Sequence, residues 1–239
     1  MSRIILVHGA WCGSWAWEKL LPQLERAGHH VQAPDLPGHG GDSTPIREVS
    51  LEGYTDRITQ VLDAEPEPAV LVGHSLGGAV ISQAAEQRPD KTNTLVYMAA
   101  FLLRDGETVR SVLANDTESL LMPAMVTSED ETYFTLREDT IVEAWCADCS
   151  AGDRERVKSQ AGRQATAPGA TPVVVTEGNF GRVPRVYVET LRDRTITPSA
   201  QRGMYGRTPC EKVILMDTGH FPQYAAPEEL TDKFTSVVG

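Results

Sequence analysis

The chain has 239 residues, enough for one large domain or two small ones, and a formal charge of −11 from 22 Lys plus Arg against 33 Asp plus Glu. That balance, without any basic run, excludes a nucleic-acid partner, which needs clustered positive charge against the phosphate backbone, and a polybasic membrane anchor. No apolar stretch nears the ~18 residues of a membrane span. The opening run Ile4–Val7 stops at His8, short of the about 7–15 residues of a signal-peptide core, so a cytoplasmic location is expected.

Taken in chain order, Ile4–Val7 is a first β-branched strand closed by His8-Gly9. A helix is predicted near Trp15–Ala27 from Trp17, Leu20, Leu21 and Leu24, with Gly28 as its C-cap. Val31–Pro34 is a second strand leading into the Gly/Pro cluster Asp35–Asp42. Ser50 suits the N-cap of a helix whose face carries Leu51, Tyr54, Ile58, Val61 and Leu62. Ala69–Val72 is a third strand, Leu76–Gln87 a helix with small residues facing the sheet, and Thr94–Met98 a fourth strand. Arg185–Thr190 and Lys212–Met216 are the fifth and sixth, and a last helix starts at Pro227 and uses Leu230, Phe234 and Val237.

Strands alternating with helices mean βαβ units and a parallel sheet, here about six-stranded with helices on both faces. Residues 101–183 break the alternation and include a small strand at Tyr133–Leu136. They are expected to form a cap inserted over the C-terminal edge of the sheet, where open α/β sheets bind ligands. The organisation is thus a core of 1–100 and 184–239 with a 101–183 insertion. With the first strand beginning at about residue 3, the length is expected to describe one trimmed core without further N-terminal strands. Cys12, Cys146, Cys149 and Cys210 make no disulfide framework, and the C-x-x-C of Cys146 and Cys149 is expected to be two structural thiols on a helix.

The chemistry concentrates in Val70–Ala79, where Gly73, His74, Ser75, Leu76 and Gly77 form G-x-S-x-G between a strand and a helix. A nucleophile in that sharp turn needs small neighbours two residues before and after it, and the following helix points its N-terminal N–H groups at the site. A serine hydroxyl needs a base. His220, alone of the six histidines, follows Ser75 in the chain and sits between the last strand and the last helix. The acid that orients it is expected after the fifth strand, where Asp193 stands; Glu189 and Asp105 are the neighbouring alternatives. Leu76 and Ala10 are the expected backbone donors of an oxyanion hole, Gly9 permits the turn before Ala10, and His8 is assigned to organising that loop. Trp11, Phe101, Met122, Trp145 and Phe221 are candidate pocket-lining residues. No metal or organic cofactor is implied.

With Leu6–Ala10, Gly13–Trp17, Leu24–His29, Leu71–Gly78, Tyr97–Phe101, Asp193–Pro198 and Gly219-His220, the chain resembles the α/β-hydrolase superfamily over its whole length. Within it, the closest likeness is to the plant methylesterase and hydroxynitrile lyase group and its bacterial esterase relatives. The loop Asp35–Asp42 looks more like the general bacterial D-x-x-G-x-G loop. In the lyases of this group a lysine follows the histidine and a threonine stands in the first loop; here those places hold Phe221 and Gly9. The resemblance therefore implies a carboxylesterase acting on a small-molecule ester through an acyl-enzyme, as monomer or homodimer. Carbon–carbon lyase or diketone-hydrolase chemistry on the same triad, and a ligand-binding receptor, are the alternatives.

Overall fold

The computed structural model describes the chain through residue 238 and gives the side chains through residue 235, so the Val237 expected on the last helix face lies outside the described residues. The elements up to the midpoint are β1 (Arg3–Val7), α1 (Leu21–Arg26), β2 (His30–Gln32), α2 (Leu51–Asp63), β3 (Ala69–His74), α3 (Gly77–Gln87) and β4 (Thr92–Met98). Then come α4 (Val109–Asn115), α5 (Leu121–Ala124), β5 (Met125–Thr127), β6 (Tyr133–Leu136), α6 (Glu138–Trp145), α7 (Ala151–Gln160), β7 (Gln164–Ala165) and α8 (Thr166–Ala170). The chain closes with β8 (Arg185–Thr190), α9 (Pro198–Arg207), β9 (Lys212–Met216), α10 (Pro222–Ala225) and α11 (Pro227–Val238).

Six strands form one parallel sheet in the order β2-β1-β3-β4-β8-β9. Alternation along each strand divides the core. Ile5, Val7, Leu71, Leu95 and Tyr97 face α2 and α3, while Ile4, Leu6, Val70, Val72, Val96 and Met98 face Trp17, Leu24, Leu230 and Phe234 of the opposite layer. Apolar residues on both faces of a strand are what a parallel sheet covered by helices requires. Strand order reverses between β1 and β3, and their register pairs Val7 with Gly73. The turns that follow these two strands, at Gly9 and Ser75, therefore emerge side by side at the switch point, where ligands bind in this architecture.

The predicted helix over Trp15–Ala27 is broken in two. Ser14–Trp17 is a 3₁₀ turn, and α1 begins only at Leu21 with Pro22 in its first turn. Pro22 has no N–H to give to residue 18, and its ring crowds that carbonyl, so a continuous helix cannot pass through it. Gly28, at φ +91°, ends α1 as expected: His29 N–H reaches the Leu24 carbonyl at 3.1 Å and Gly28 N–H that of Glu25 at 2.9 Å. The Ser50 cap is also present, its hydroxyl accepting from Gly53 N–H at 3.0 Å.

Between β4 and β8 the chain leaves the main sheet. It forms α4 to α8 and a separate antiparallel sheet in the order β5-β6-β7. The cysteine pair is not on a helix. Cys146 ends α6, and the Cys149 N–H bonds the Cys146 carbonyl at 3.0 Å, closing a turn before α7. All four cysteines are free thiols.

Candidate active site

Ser75 sits between β3 and α3 with φ +54°, a conformation costing about 1–3 kcal/mol for a residue with a side chain. Its neighbours make that turn possible. A Cβ on Gly73 would lie 2.6 Å from the Gly77 carbonyl oxygen, and one on Gly77 would lie 2.5 Å from that of Val7. A Cβ on Gly9 would lie 2.8 Å from the Ser75 Cβ, so the turn after β1 is pressed against the serine itself. The Ser75 carbonyl accepts from Gly78 N–H at 3.0 Å and Phe101 N–H at 3.1 Å, which pins the turn from two sides. Among the described residues, the N–H groups of Ala10 and Leu76 donate to no protein acceptor, and both residues line the cavity that Ser75 opens into.

His220 is buried, and its Nδ1–H donates to Asp193 Oδ2 at 2.8 Å. Asp193 is buried too and saturated with donors. Oδ2 also accepts from Thr190 Oγ1 at 2.9 Å and Gln201 Nε2 at 3.2 Å, while Oδ1 accepts from the N–H groups of Thr195 and Ile196 at 2.7 and 3.0 Å. A proton on Nδ1 leaves Nε2 of His220 as the basic nitrogen. The pair is tied to the serine turn through the backbone, because His74 Nε2–H donates to the His220 carbonyl at 2.8 Å. Glu189 is not beside His220. It is buried under Arg202, at 2.8 Å, and Tyr205, at 2.8 Å.

Three further histidines surround this centre in neutral form. His74 is held well below its ordinary pKa by burial, then by the neighbouring His220. His8 is lowered to about 3 by burial and by His39. His39 is lowered by burial, against the opposing pull of the Cys12 carbonyl. Their hydrogen bonds fix the loops. His8 accepts from Leu36 N–H at 3.1 Å, and His39 bridges the Cys12 carbonyl at 2.8 Å and the Tyr54 hydroxyl at 2.7 Å.

The cavity beside Ser75 measures about 480 Å³ and has an apolar wall that includes Leu76, Phe101, Leu113, Leu121 and Phe134. Arg110 and Glu131 supply charge to its lining. Of the five residues expected to line a pocket, Trp11, Phe101 and Met122 do so. Trp145 and Phe221 do not. They stack on one another with centroids 5.2 Å apart, and Phe221 packs against the rings of His74 and His220, filling core beside the histidines.

Trp11 has a second task. It is held at φ +60° by three bonds, all from the 101–183 segment: its N–H donates to Gln164 Oε1 at 3.4 Å, its carbonyl accepts from Gly162 N–H at 2.8 Å, and its indole donates to the Phe134 carbonyl at 3.0 Å. Gln164, Gln201, Thr190 and Asp148 are the site-supporting residues that sequence reasoning misses. Thr190 lies three residues before Asp193, a spacing suited to a turn hydroxyl. Gln164 and Asp148 reach the site only through tertiary contacts, so no local signal marks them.

The alpha/beta hydrolase family model matches residues 4–233. The chain is 32% identical to a pyrethroid hydrolase of Sphingobium wenxiniae over 97% of its own length and 86% of that protein's. It is 30% identical to methylesterase 8 of Arabidopsis thaliana, covering 99% and 89%. The crystal structure of a pyrethroid hydrolase from Sphingobium faniae superposes with a TM-score of 0.90 at 29% identity, covering 99% of this chain and 97% of that one. The chain belongs to the alpha/beta hydrolase family.

Proposed function

We propose that this alpha/beta hydrolase is a carboxylesterase in which Ser75, His220 and Asp193 act as nucleophile, base and orienting acid. The observation that carries the reading is the buried His220–Asp193 pair, with its imidazole Nδ1 committed at 2.8 Å and its backbone bonded to the residue before Ser75. Nε2 of His220 takes the Ser75 proton as the hydroxyl oxygen attacks the ester carbonyl. The Ala10 and Leu76 N–H groups receive the developing oxyanion, and losing one such donor typically costs about 3–4 kcal/mol in the transition state. His220 returns the proton to the departing alcohol, then activates water to free the acid and regenerate Ser75.

An ester of small to medium size with a hydrophobic body fits the apolar cavity of about 480 Å³. Relatives named as pyrethroid hydrolase and methylesterase support ester cleavage. Residues 101–183 act as the cap that shapes this cavity, contributing Leu113, Leu121 and Phe134 to its wall. Phe221, stacked in the core, and Gly9, pressed on Ser75, supply no cation or hydroxyl for a departing cyanide, which supports hydrolysis over cyanohydrin cleavage. Among the described residues no helix is long and apolar enough to cross a membrane. The test is covalent labelling. A fluorophosphonate is expected to modify Ser75 and abolish turnover of a 4-nitrophenyl ester in parallel. Label on another residue, or turnover that survives full labelling of Ser75, overturns the assignment.

A further inference from the structure

The loop that carries His220 is fastened at four consecutive points. The Thr218 carbonyl accepts from Arg192 N–H at 2.9 Å, the Gly219 N–H donates to Asp148 Oδ2 at 2.6 Å, the His220 carbonyl accepts from His74, and the His220 ring holds Asp193. Three of these partners belong to the main-sheet core. Asp148 alone comes from the 101–183 segment, out of the turn between α6 and α7.

That turn is itself braced. Arg154 Nε–H bonds the Cys149 carbonyl at 2.9 Å and a second guanidinium N–H bonds the Ala147 carbonyl, which clamps the peptide entering Asp148 and the one leaving Cys149. Next to it, Thr195 Oγ1 donates to the Ala144 carbonyl at 2.8 Å, so the same stretch also grips the loop of Asp193. Arg192 Nη2 lies 3.5 Å from Asp148 Oδ2 and joins the two loops through the carboxylate. The approach depends on glycine: a Cβ at position 219 would lie 2.9 Å from Asp148 Oδ1.

From this convergence we infer that Asp148 is a positioning residue that sets the catalytic histidine from outside the core. By fixing the Gly219 peptide it fixes where the His220 Cα sits, and with it the line from Nε2 to Ser75. The inference rests on the esterase reading above, in which that line is the path of the proton. A misplacement of about 1 Å in such a path typically costs around a hundredfold in rate. Substrate binding in the cavity makes no use of Asp148, which is absent from its lining.

The test measures kcat and KM for 4-nitrophenyl butyrate, the rate of Ser75 labelling by a fluorophosphonate, and thermal stability. Asp148→Ala is expected to lower kcat and the labelling rate about 10- to 100-fold with KM within about twofold. Asp148→Asn keeps an oxygen that accepts from Gly219 N–H and is expected to recover kcat to within about fivefold of wild type. Glu143→Ala, which removes an exposed ion pair with Arg194 from α6, the helix before the Asp148 turn, is expected to leave both rates unchanged. If Asp148→Ala does not fold, Gly219→Ala displaces the carboxylate instead and is expected to give the same loss of kcat. A kcat within twofold of wild type in Asp148→Ala or Gly219→Ala, or an Asn variant as slow as the Ala variant, overturns the inference. A wild-type protein that neither turns over the ester nor labels at Ser75 overturns the esterase reading and the inference together; turnover without any Asp148 effect overturns the inference alone.

Discussion

His74 donates its Nε2–H to the carbonyl of His220 across a separation of 146 residues. The residue before the serine thus holds the backbone of the histidine, and the two loops cannot drift apart without breaking a buried bond. His74 Nδ1 is buried with no partner, which leaves the Nε2 bond as the ring's one polar tie among the described residues. Replacing His74 by Leu is expected to strand the His220 carbonyl, lowering stability by about 1–3 kcal/mol and kcat roughly tenfold. Urea unfolding and steady-state kinetics check both. A variant with wild-type kcat would show that His220 is held well enough without this bond.

Asp193→Asn separates charge and tautomer from architecture. An asparagine oxygen turned toward the Thr195 and Ile196 N–H groups keeps that turn, while its NH₂ meets His220 Nδ1 and forces the proton to Nε2. The expected result is a loss of kcat on the order of 10⁴-fold with a melting temperature close to wild type. Circular dichroism melting alongside kinetics decides it, since loss of fold would place the role of Asp193 in stability alone.

The buried neutral histidines give a pH dependence of stability with a definite sign. The pKa values of His8, His39 and His74 are lowered in the folded protein, so below about 6.5 the unfolded chain binds more protons than the native one. Stability from these groups is complete above that pH and falls as pH drops through it. The slope is about 1.4 kcal/mol per pH unit for a fully shifted histidine; His8 and His74, the two rings lowered furthest, supply most of it, and His39 adds to it in the same direction. Urea titrations between pH 8 and pH 5 should show a plateau and then a steep fall. A constant midpoint over that range would mean that the three rings are protonated in the fold.

Gln164 ties the loop after β1 to α2, with Nε2 on the Tyr54 hydroxyl at 3.2 Å and Oε1 receiving the Trp11 N–H. Gln164→Ala is expected to lower kcat about tenfold, because Ala10 and its N–H lose the bond that locates the next residue. Steady-state kinetics on a 4-nitrophenyl ester report it. Gln164 also lines the cavity, so an effect confined to KM would place its role there and not in holding the Trp11 loop.

The sheet and the serine turn were legible because their signals are local: β-branched runs, glycines spaced by steric need, Ser50 and Gly28 at helix ends. Ser75, His220 and Asp193, the proposed triad, are picked out by chain order along such a sheet, and the structure places His220 and Asp193 in hydrogen-bond contact. Trp145 and Phe221 misled because an aromatic ring near a catalytic loop has no pattern that tells wall from core; their mutual stacking decided it. The break before Pro22 was open to reading, since a proline there forbids the helix that the leucine spacing suggests. Asp148 and Gln164 carried no signal, being brought to the site only when the 101–183 segment folds back on the sheet.

The three bonds on Trp11 limit how such a chain can be rebuilt. A segment grafted from a relative in place of residues 101–183 keeps these bonds only if it brings a side-chain acceptor to where Gln164 Oε1 stands and a backbone N–H and carbonyl to where those of Gly162 and Phe134 stand. Otherwise Trp11 loses the three hydrogen bonds that help offset its left-handed backbone, worth about 1–3 kcal/mol of strain, and relaxes together with Ala10. Substrate range and reactivity are therefore not separable parts of this molecule. A chimera designed to change what enters the cavity has to carry its own version of residues 10–12, or it inherits a new wall and loses the chemistry behind it.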